Sequence, residues 1–377
     1  MARRLAVGLI GCGNIAVNHH VPAYRALADR CEVVAVADPA ASRRTLAATE
    51  LGIDGDATFE DGHELLRRVD LDVVDVCMPQ HLRKDVILDA VRRRRDVLSE
   101  KPLTAAPADA AELVDEAEAA GVRLGVVHNY AFFPEVAAAT QAVAAGEIGL
   151  PEVAIVNFLG VPDLPGVRDW RPDWRHDPAA SGGGVLMDML HAVYVAERLL
   201  GTAFTAVSAL VRARSPVAAV EDIALCRYEA QHAAALVNVG WGHGPGGIQV
   251  SGSEGRIEVR YADGGTAPFV PLEGVWVHRP DGSRRIEVAP PLDTVVATIT
   301  DFIDAVVDGR PAPTSGADGL RVIEAVVGAY ASSAWGRVVP LPLERDGSLF
   351  ERGLLGLRAT GSAEGSTLRG LFASEPG

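Results

Sequence analysis

The chain has 377 residues, of which 48% are hydrophobic and 23% are charged, and its formal net charge is -15. This length exceeds what one hydrophobic core usually supports, so we expect two domains, and the composition excludes a fibrous or mainly disordered chain. The negative charge argues against nucleic acid and anionic membranes as partners, because both attract basic surfaces.

The first 130 residues alternate short apolar runs with helical patterns. Strands are predicted at residues 5–10, 32–37, 73–78, 96–99 and 123–127. Helices are predicted between them, for example at 84–94 and 108–120. Alternation at this spacing is typical of a parallel sheet that is covered by helices on both faces. We therefore predict an α/β domain with a parallel sheet over residues 1–130.

The pattern changes after Pro134. A helix is predicted at 135–145 and a strand at 152–158, and a loop rich in Trp, Pro and Arg follows over 161–180. Gly182, Gly183 and Gly184 then open a predicted helix that runs to about residue 200.

Several β-type segments follow without helices between them, at residues 204–211, 223–228, 233–241, 247–251 and 256–260. Consecutive strands of this kind favour an antiparallel sheet. Helices at 294–307 and 319–335 complete a second predicted α/β domain over 131–343. The remainder, 344–377, is rich in Gly, Ser, Ala and Arg, and we predict that it is a flexible tail.

The first predicted strand is followed by the hexapeptide GCGNIA, which matches the G-x-G-x-x-[G/A] fingerprint of dinucleotide-binding turns. Gly11 permits the tight turn, Gly13 lets the backbone approach a pyrophosphate, and Ala16 keeps the following helix close to the sheet. The helix N-terminus, which includes Asn14 and Ile15, offers N–H groups to the phosphates. The sequence therefore predicts a dinucleotide site at this turn.

Asp38 comes at the end of the second predicted strand, 22 residues after Ala16. An acidic side chain there binds the adenosine ribose hydroxyls and repels a 2′-phosphate, which favours NAD over NADP. Arg43 and Arg44 lie just downstream and favour the opposite choice. An ordinary strand–helix turn with a helix-capping acid is the structural alternative.

Several further segments carry a resemblance to a known family: VDVCMPQHL (74–82), Glu100-Lys101-Pro102, AFFPEV (131–136), GEIG (146–149), the triple glycine and SGSEGRIEV (251–259). With the glycine turn and Asp38, these make the sequence similar to the Gfo/Idh/MocA family, relatives of glucose–fructose oxidoreductase and inositol dehydrogenase. The resemblance covers residues 4–343. It implies a Rossmann domain, then an α/β domain whose open sheet makes subunit contacts, and hence a homodimer or homotetramer. Family members mostly oxidise or reduce sugars, inositols and related polyols.

The resemblance implies a catalytic role for Lys101. In this family the lysine of the EKP tripeptide lies beside the nicotinamide and the reacting hydroxyl. An ammonium there stabilises the alkoxide character that hydride loss requires. Pro102 would fix the local backbone. The alternative is a surface lysine at a strand end.

His191 and Asp188 match the second family signature, an aspartate and a histidine on the helix after the triple glycine. The usual aspartate-to-histidine spacing is four residues, whereas here it is three. Residues at i and i+3 share a helix face, so we expect both side chains in one cleft. An imidazole titrates near neutrality and suits a general base, while Asp188 would orient it or bind a substrate hydroxyl. The alternative is a helix whose acid and histidine satisfy the core.

Other candidates complete the predicted site. Cofactor-binding residues are predicted at the edge of the sheet: Pro79, Gln80, His81 and Glu100. Substrate-binding residues are predicted beside Lys101, Asp188 and His191: Asn129, Tyr130, Trp174 and Arg175. Two residues after His81, many relatives have a histidine, where this sequence has Arg83.

These observations predict an NAD-dependent oxidoreductase that transfers a hydride between the nicotinamide and a secondary alcohol of a sugar, inositol or polyol. A glycosidase that oxidises its substrate transiently with bound NAD is one alternative. A non-catalytic NAD-binding sensor is the other.

The cysteines and the N-terminus bear on the compartment. Cys12, Cys31, Cys77 and Cys226 form no CxxC pair, so we expect no metal site and a reducing environment. The N-terminus lacks the apolar region of a signal peptide, and no apolar run approaches the roughly 18 residues that span a bilayer. We therefore expect a cytoplasmic protein.

Overall fold

The computed structural model describes residues 3–163, 173–215, 218–242, 244–265 and 270–359. These residues form two compact units. The first unit combines the chain up to Thr104 with Asp109–Asn129 and Leu292–Leu320. The second unit combines Ala105–Ala108, Tyr130–Pro291 and the chain from Arg321 onward.

The first unit contains a six-stranded sheet. Its strands are β1 (Leu5–Ile10), β2 (Cys31–Ala37), β3 (Thr58–Phe59), β4 (Val73–Val76), β5 (Asp96–Ser99) and β6 (Leu124–Val126). All neighbours pair in parallel, in the order β3-β2-β1-β4-β5-β6. This is the doubly wound order, in which the connections reverse direction between β1 and β4 and ligands bind at the carboxyl ends of the strands.

The α-helices of both units, in chain order, are α1 (Val21–Ala26), α2 (Ala41–Leu51), α3 (Gly62–Arg68), α4 (Lys84–Arg92), α5 (Pro107–Ala120), α6 (Pro134–Ala144), α7 (Pro178–Ser181), α8 (Val185–Asp188), α9 (His191–Leu200), α10 (Thr294–Asp308), α11 (Gly316–Trp335), α12 (Ser348–Arg352) and α13 (Gly356–Ala359). A π-helical turn, Ala16–His20, directly precedes α1. None of these helices combines the length and apolarity that crossing a bilayer requires.

The second unit contains a nine-stranded sheet. Its strands are β7 (Pro151–Val161), β8 (Ala206–Arg212), β9 (Ile223–Glu229), β10 (Ala234–Trp241), β11 (Gly246–Gly252), β12 (Gly255–Tyr261), β13 (Leu272–Arg279), β14 (Gly282–Ile286) and β15 (Val339–Pro340). The order is β14-β13-β12-β11-β7-β10-β9-β8-β15. Only β7 and β10 pair in parallel among these neighbours, so the expected α/β fold with a mostly antiparallel second sheet is confirmed.

A late segment of the chain completes the first unit. Val295, Ile299 and Phe302 of α10 are buried in the same core as strand residues Val7 and Leu9. The domain predicted over 131–343 is therefore interrupted by residues 292–320. The sequence shows that α10 is amphipathic, but it does not show which apolar surface the helix covers.

Two local expectations need correction, and several strands were missed. The helix predicted from the triple glycine to residue 200 is broken, because α8 ends at Asp188 and α9 begins at His191. The tail predicted over 344–377 is partly folded, since α12 buries Leu349 and Phe350 and the following 3₁₀ turn, Gly353–Leu355, buries Leu354. Residues beyond 359 lie outside the described chain. Strands β3, β13, β14 and β15 were not predicted from the sequence. β3 and β15 have only two residues each, and β14 is a largely exposed edge strand with little apolar alternation.

Candidate functional site

The glycine turn follows β1 as predicted. Gly11 has a φ of 92°, and a Cβ there would lie 2.8 Å from the carbonyl carbon of Cys77. Both facts require glycine, because a side chain would be strained and would collide with the backbone that follows β4. The helical segment begins at Asn14 and Ile15, and the buried Ala16 opens its π-helical turn.

The start of this helix is built to receive an anion. The carbonyl of Gly13 accepts the first backbone hydrogen bond of the helix, from the N–H of Val17 at 3.0 Å. The N–H groups of the first turn have no partner within a helix, and the helix dipole places positive potential there. The geometry therefore fits a pyrophosphate beside Gly13 and Asn14.

Asp38 lies directly after β2 and is 7% exposed. Its Oδ2 accepts a hydrogen bond from the Cys12 N–H at 2.8 Å, and its Oδ1 accepts one from the Ala40 N–H at 2.8 Å. The carboxylate is thus fixed against the glycine turn at the carboxyl edge of the sheet, and each oxygen keeps a second acceptor position.

The segment after β4 contains Pro79, Gln80 and His81. Gln80 begins a 3₁₀ turn and is buried, while His81 in the same turn is exposed. Arg83 follows and is only 3% exposed, although it carries a guanidinium. Its Nε donates to the Met78 carbonyl at 2.5 Å.

Arg83 also binds the segment that contains Lys101. Its Nη1 donates to the backbone carbonyls of Glu100 and Pro102, on either side of the lysine. The Lys101 N–H itself donates to Oε2 of Glu100 at 2.9 Å. Lys101 is half-buried and its peptide bond to Pro102 is cis. The backbone around the predicted catalytic lysine is therefore held by a buried carboxylate and a buried guanidinium.

A buried polar group lies behind Glu100, and we call it the His20 cluster (His20, Tyr24, Asp75 and Glu100). Nδ1 of His20 lies 2.7 Å from Oδ2 of Asp75, and Nε2 lies 3.2 Å from Oε1 of Glu100. The hydroxyl of Tyr24 donates to the same Asp75 oxygen at 2.8 Å. His20 and Asp75 are fully buried, so each charge in the cluster depends on its neighbours rather than on water.

Sequence reasoning missed the His20 cluster. Its members are separated by 55 residues for His20 and Asp75 and by 80 residues for His20 and Glu100. One signal was available, because Asp75 interrupts an otherwise apolar strand, and a carboxylate in such a position needs a buried partner. Arg83 was seen only as a departure from the family pattern.

In the second unit, the break between α8 and α9 sets the placement of Asp188 and His191. Asp188 is the last residue of α8 and His191 is the first residue of α9, so they do not share one helix face as expected. Nη2 of Arg175 donates a hydrogen bond to Oδ2 of Asp188 at 2.9 Å and forms an ion pair with it. Arg175 was also among the substrate-binding residues predicted from the sequence. Arg175 and Trp174 belong to the 3₁₀ turn Asp173–His176.

His191 is 3% exposed and stacks on Tyr130, with ring centroids 4.2 Å apart and ring planes 7° apart. The structure thus brings two of the predicted substrate residues into direct contact. Burial, with a smaller effect from Asp188, raises the pKa of Tyr130, so its hydroxyl stays protonated. Asn129 belongs to the first unit, where its Nδ2 donates to Oγ1 of Thr294 at 2.8 Å.

A second buried group holds the start of α8, and we call it the Glu221 cluster (Glu221, Tyr330 and the backbone of 184–186). The Glu221 carboxylate accepts hydrogen bonds from the N–H groups of Gly184 at 2.8 Å and Leu186 at 2.9 Å. The Tyr330 hydroxyl donates to it at 2.7 Å. A Cβ on Gly183 would lie 2.0 Å from that hydroxyl, which explains why the segment before α8 is glycine. This cluster was not predicted from the sequence.

Comparison with known proteins decides the family. One family model, described as the oxidoreductase family with NAD-binding Rossmann fold, matches residues 5–128, and a second, the GFO/IDH/MocA C-terminal domain, matches 136–258. Together they cover more than half of the chain. The chain belongs to the Gfo/Idh/MocA family. It is an oxidoreductase whose first unit is the family's NAD-binding domain, as the glycine turn and Asp38 indicated.

Curated relatives of this Gfo/Idh/MocA protein extend along most of its length. It is 29% identical over 307 residues to dTDP-3,4-didehydro-2,6-dideoxy-alpha-D-glucose 3-reductase of Streptomyces violaceoruber, covering 81% of this chain and 86% of that protein. It is 26% identical over 366 residues to D-apiose dehydrogenase of Paraburkholderia graminis, covering 90% of each. A crystal structure of an Agrobacterium radiobacter oxidoreductase with NAD+, L-tartaric acid and magnesium matches with a TM-score of 0.78 at 22% identity, covering 90% and 98%.

Proposed function

We propose that the chain is an NAD-dependent dehydrogenase that transfers a hydride between the nicotinamide and a secondary alcohol of a sugar, inositol or related polyol. The observation that carries the proposal is the rigid setting of Lys101 between the Glu100 carboxylate and the Arg83 guanidinium. This segment follows β5 at the carboxyl edge of the sheet, where ligands of this fold bind. The two curated relatives, named for reactions of a deoxysugar nucleotide and of D-apiose, support the substrate class.

The composition supports a special role for Lys101. Lys84 and Lys101 are the only two lysines in a sequence that has 35 lysines and arginines together. Lys84 forms ion pairs with Asp109 and Glu112, which an arginine could also form. In a chain that otherwise uses arginine, a lysine at position 101 indicates a need for a compact ammonium rather than a planar guanidinium.

NAD is the nucleotide that we propose in preference to NADP. The Asp38 carboxylate, fixed at the end of β2, would bind the ribose hydroxyls and repel a 2′-phosphate. Arg44 is engaged elsewhere, because its Nη1 donates to the carbonyls of Asp38 at 2.7 Å and Pro39 at 3.1 Å, and its Nη2 lies 3.3 Å from Glu60. These contacts support recognition of an unphosphorylated ribose.

The residues of this chain would divide the chemistry among them. NAD, when bound, supplies the hydride acceptor. In the direction of oxidation, the Lys101 ammonium would donate a hydrogen bond to the substrate oxygen and stabilise its alkoxide character. The imidazole of His191 would accept the hydroxyl proton, and Asp188 would orient that imidazole or bind a neighbouring hydroxyl.

The test uses the two lysines as a matched pair. NADH formation is measured on a panel of aldoses, inositols and other polyols for the wild type, Lys101→Arg and Lys84→Arg. We expect Lys101→Arg to lower kcat/KM by about 100-fold or more, while Lys84→Arg stays within about twofold of the wild type. Wild-type turnover by Lys101→Arg would refute the role of the lysine.

The same panel separates the two alternatives. Release of a leaving group from a glycoside without net NADH would favour the transient-oxidation glycosidase. NAD binding without conversion of any polyol or glycoside would favour the sensor.

We also propose that the chain forms a homodimer or homotetramer through one face of the nine-stranded sheet. Val153, Leu210, Leu225 and Leu236 are each about 40% exposed. The strand register places them on the same face. Leu210 lies opposite Leu225, and Leu225 lies opposite Asn238, two residues from Leu236. Leu236 in turn lies opposite Ile155, two residues from Val153. A row of exposed apolar side chains across four neighbouring strands is typical of a surface that a second copy covers.

Light scattering coupled to size-exclusion chromatography tests this surface. The double variant Leu225→Glu/Leu236→Glu should dissociate, because it places unpaired charges in the proposed interface. Its measured molar mass in solution should therefore be lower than that of the wild-type oligomer. Val307→Glu, at an exposed position on α10, is the matched control and should keep the wild-type mass. A monomeric wild type would contradict the proposal.

A further inference from the structure

We propose that the buried His20 is a positioning residue for Lys101 and that it acts through the Glu100 carboxylate. The inference rests on the proposed function, since Lys101 is the residue to be positioned. His20 itself takes no part in the glycine turn or in the proposed chemistry. Three contacts connect His20 to the backbone around Lys101.

The first contact fixes the charge state of His20. Both ring nitrogens face carboxylates, Nδ1 at 2.7 Å from Asp75 and Nε2 at 3.2 Å from Glu100, so a doubly protonated ring donates to both. Burial alone disfavours the charged imidazole, but Asp75 and Cys77 outweigh it and hold the pKa of His20 well above its ordinary value. His20 is therefore a buried cation at neutral pH.

The second contact keeps Glu100 ionised and oriented. Burial alone would raise the pKa of Glu100, but the hydrogen bond and charge of His20 hold that pKa below its ordinary value. With Oε1 directed at His20, Oε2 is free to accept the Lys101 N–H at 2.9 Å. The imidazolium therefore selects the rotamer of Glu100 that binds the lysine backbone.

The third contact comes from the opposite side. Arg83 donates to the carbonyls of Glu100 and Pro102, so the two peptide groups around Lys101 are held by one anion and one cation. Two buried carboxylates, Asp75 and Glu100, are matched by two buried cations, His20 and Arg83. Removal of His20 would leave the carboxylates in excess and would release Glu100 from its orientation.

A metal ion is the competing explanation for part of this group. The ligand atoms of His20, Asp75 and Cys77 all lie within 4.8 Å of one another. However, an ion bound tetrahedrally at about 2 Å from each donor would keep Nδ1 and Oδ2 more than about 3 Å apart. The observed 2.7 Å separation, together with the Tyr24 hydroxyl on the same Asp75 oxygen, is that of direct hydrogen bonds.

The test does not require a known substrate, because the two lysines can be labelled directly. The wild type and His20→Gln, both with NAD bound, are acetylated with trace acetic anhydride across a pH series, and the labelling rates of Lys101 and Lys84 are separated by mass spectrometry. An amine reacts only when deprotonated, and its protonation responds to surrounding charges. We expect His20→Gln to change the Lys101 rate by about threefold or more and to leave the Lys84 rate unchanged. Unchanged rates at both lysines would overturn the proposal.

Kinetics with a substrate from the panel supply a second measurement. His20→Gln should lower kcat about 10- to 100-fold with little change in KM or NAD affinity, because a small displacement of a catalytic group costs this much. If His20 acts through Glu100, the double variant His20→Gln/Glu100→Gln should lose no more than Glu100→Gln alone. Additive losses would contradict this path, and one equivalent of bound metal in the purified wild type would favour the competing explanation.

The outcomes remain separable. If Lys101→Arg is fully active, the proposed function fails, whatever His20→Gln shows. If Lys101→Arg is inactive and folded His20→Gln has wild-type kcat, the positioning role fails alone. If His20→Gln does not fold, Glu100→Gln replaces it in the labelling experiment, because this variant keeps His20. The proposal then requires Glu100→Gln to change the labelling rate of Lys101. An unchanged rate would overturn the proposal.

Discussion

In each unit, a buried carboxylate binds backbone N–H groups close in sequence to a proposed catalytic residue, but the other partners of the two carboxylates differ. In the His20 cluster, Glu100 faces a buried imidazolium and orients the Lys101 peptide. In the Glu221 cluster, the carboxylate accepts from two backbone N–H groups and from the Tyr330 hydroxyl at the start of α8. The first carboxylate is compensated by a cation, and the second by neutral donors.

The difference has a measurable electrostatic consequence. Burial would raise the pKa of Glu100, yet His20 holds that pKa below its ordinary value. Burial raises the pKa of Glu221, and its neutral donors offset this effect only in part. Hydrogen bonds from neutral groups therefore orient a buried carboxyl group, whereas a charged partner is needed to keep that carboxyl group readily ionised.

The largest expected change in stability follows from removing the buried cation of the His20 cluster. His20→Ala should lower the free energy of unfolding by about 3–5 kcal/mol, because it leaves Asp75 and Glu100 buried without their shared cation. Guanidinium denaturation, followed by circular dichroism, measures the change. His19→Ala is the neighbouring control at a more exposed position, and a similar loss in both variants would show that the cluster has no special weight.

A smaller effect is expected when the second unit loses its carboxylate. Glu221→Gln should destabilise the protein by about 1–3 kcal/mol, since one amide oxygen cannot accept from all three donors and the amide N–H₂ faces them. The exposed Glu118 offers a matched control, and Glu118→Gln should change stability by less than about 0.5 kcal/mol. If Glu221→Gln were as stable as the control variant, the Glu221 carboxylate would not contribute to stability as expected.

The pH dependence of stability distinguishes the two clusters, because both should lose stability as pH rises but the loss begins at different pH values. The pKa of His20 is raised above its unfolded value of about 6.5, so its stabilisation is full below that pH and is lost as pH rises through the folded pKa. The stability difference between the wild type and His20→Gln should therefore shrink as pH rises above about 6.5.

For Glu221 the sign is the same, but the loss begins at a lower pH. Its pKa is raised above the unfolded value, so the folded state binds more protons and the wild type loses stability as pH rises from about 4.5 through the folded pKa. Glu221→Gln should thus gain stability relative to the wild type over that rise. Denaturation midpoints for the wild type and both variants from about pH 4.5 to about 9 measure the two trends. A wild-type stability that rose with pH relative to either variant would contradict the assignment of charges.

The smallest expected effect comes from a third carboxylate, Glu324 on α11. Burial raises its pKa to about 7, opposed by a hydrogen bond from the Leu343 backbone and by Arg345 and Arg321. The wild type should therefore lose stability as pH rises from about 4.5 to 7, and Glu324→Gln should flatten the slope over that range. An unchanged slope would show that Glu324 is hydrated enough to titrate normally.

The features that could be predicted from the amino-acid sequence are those that depend on residues close together in the chain. The glycine turn, five of the six strands of the first sheet and the position of Lys101 after β5 all follow from local spacing, and each is found close to where it was expected. Local patterns succeed here because backbone sterics and apolar periodicity act over a few residues. The family resemblance added the identity of the candidate site residues.

Contacts between segments that are distant in the sequence became apparent only in the tertiary structure. It joined α10 to the first unit, ended α8 at Asp188, and brought His20 to Asp75 and Glu100 across 55 and 80 residues. The physical reason is that a buried charge or an apolar helix face is satisfied by whichever partner the packing brings near. The sequence states that a partner is needed, as Asp75 within an apolar strand does, but packing selects it.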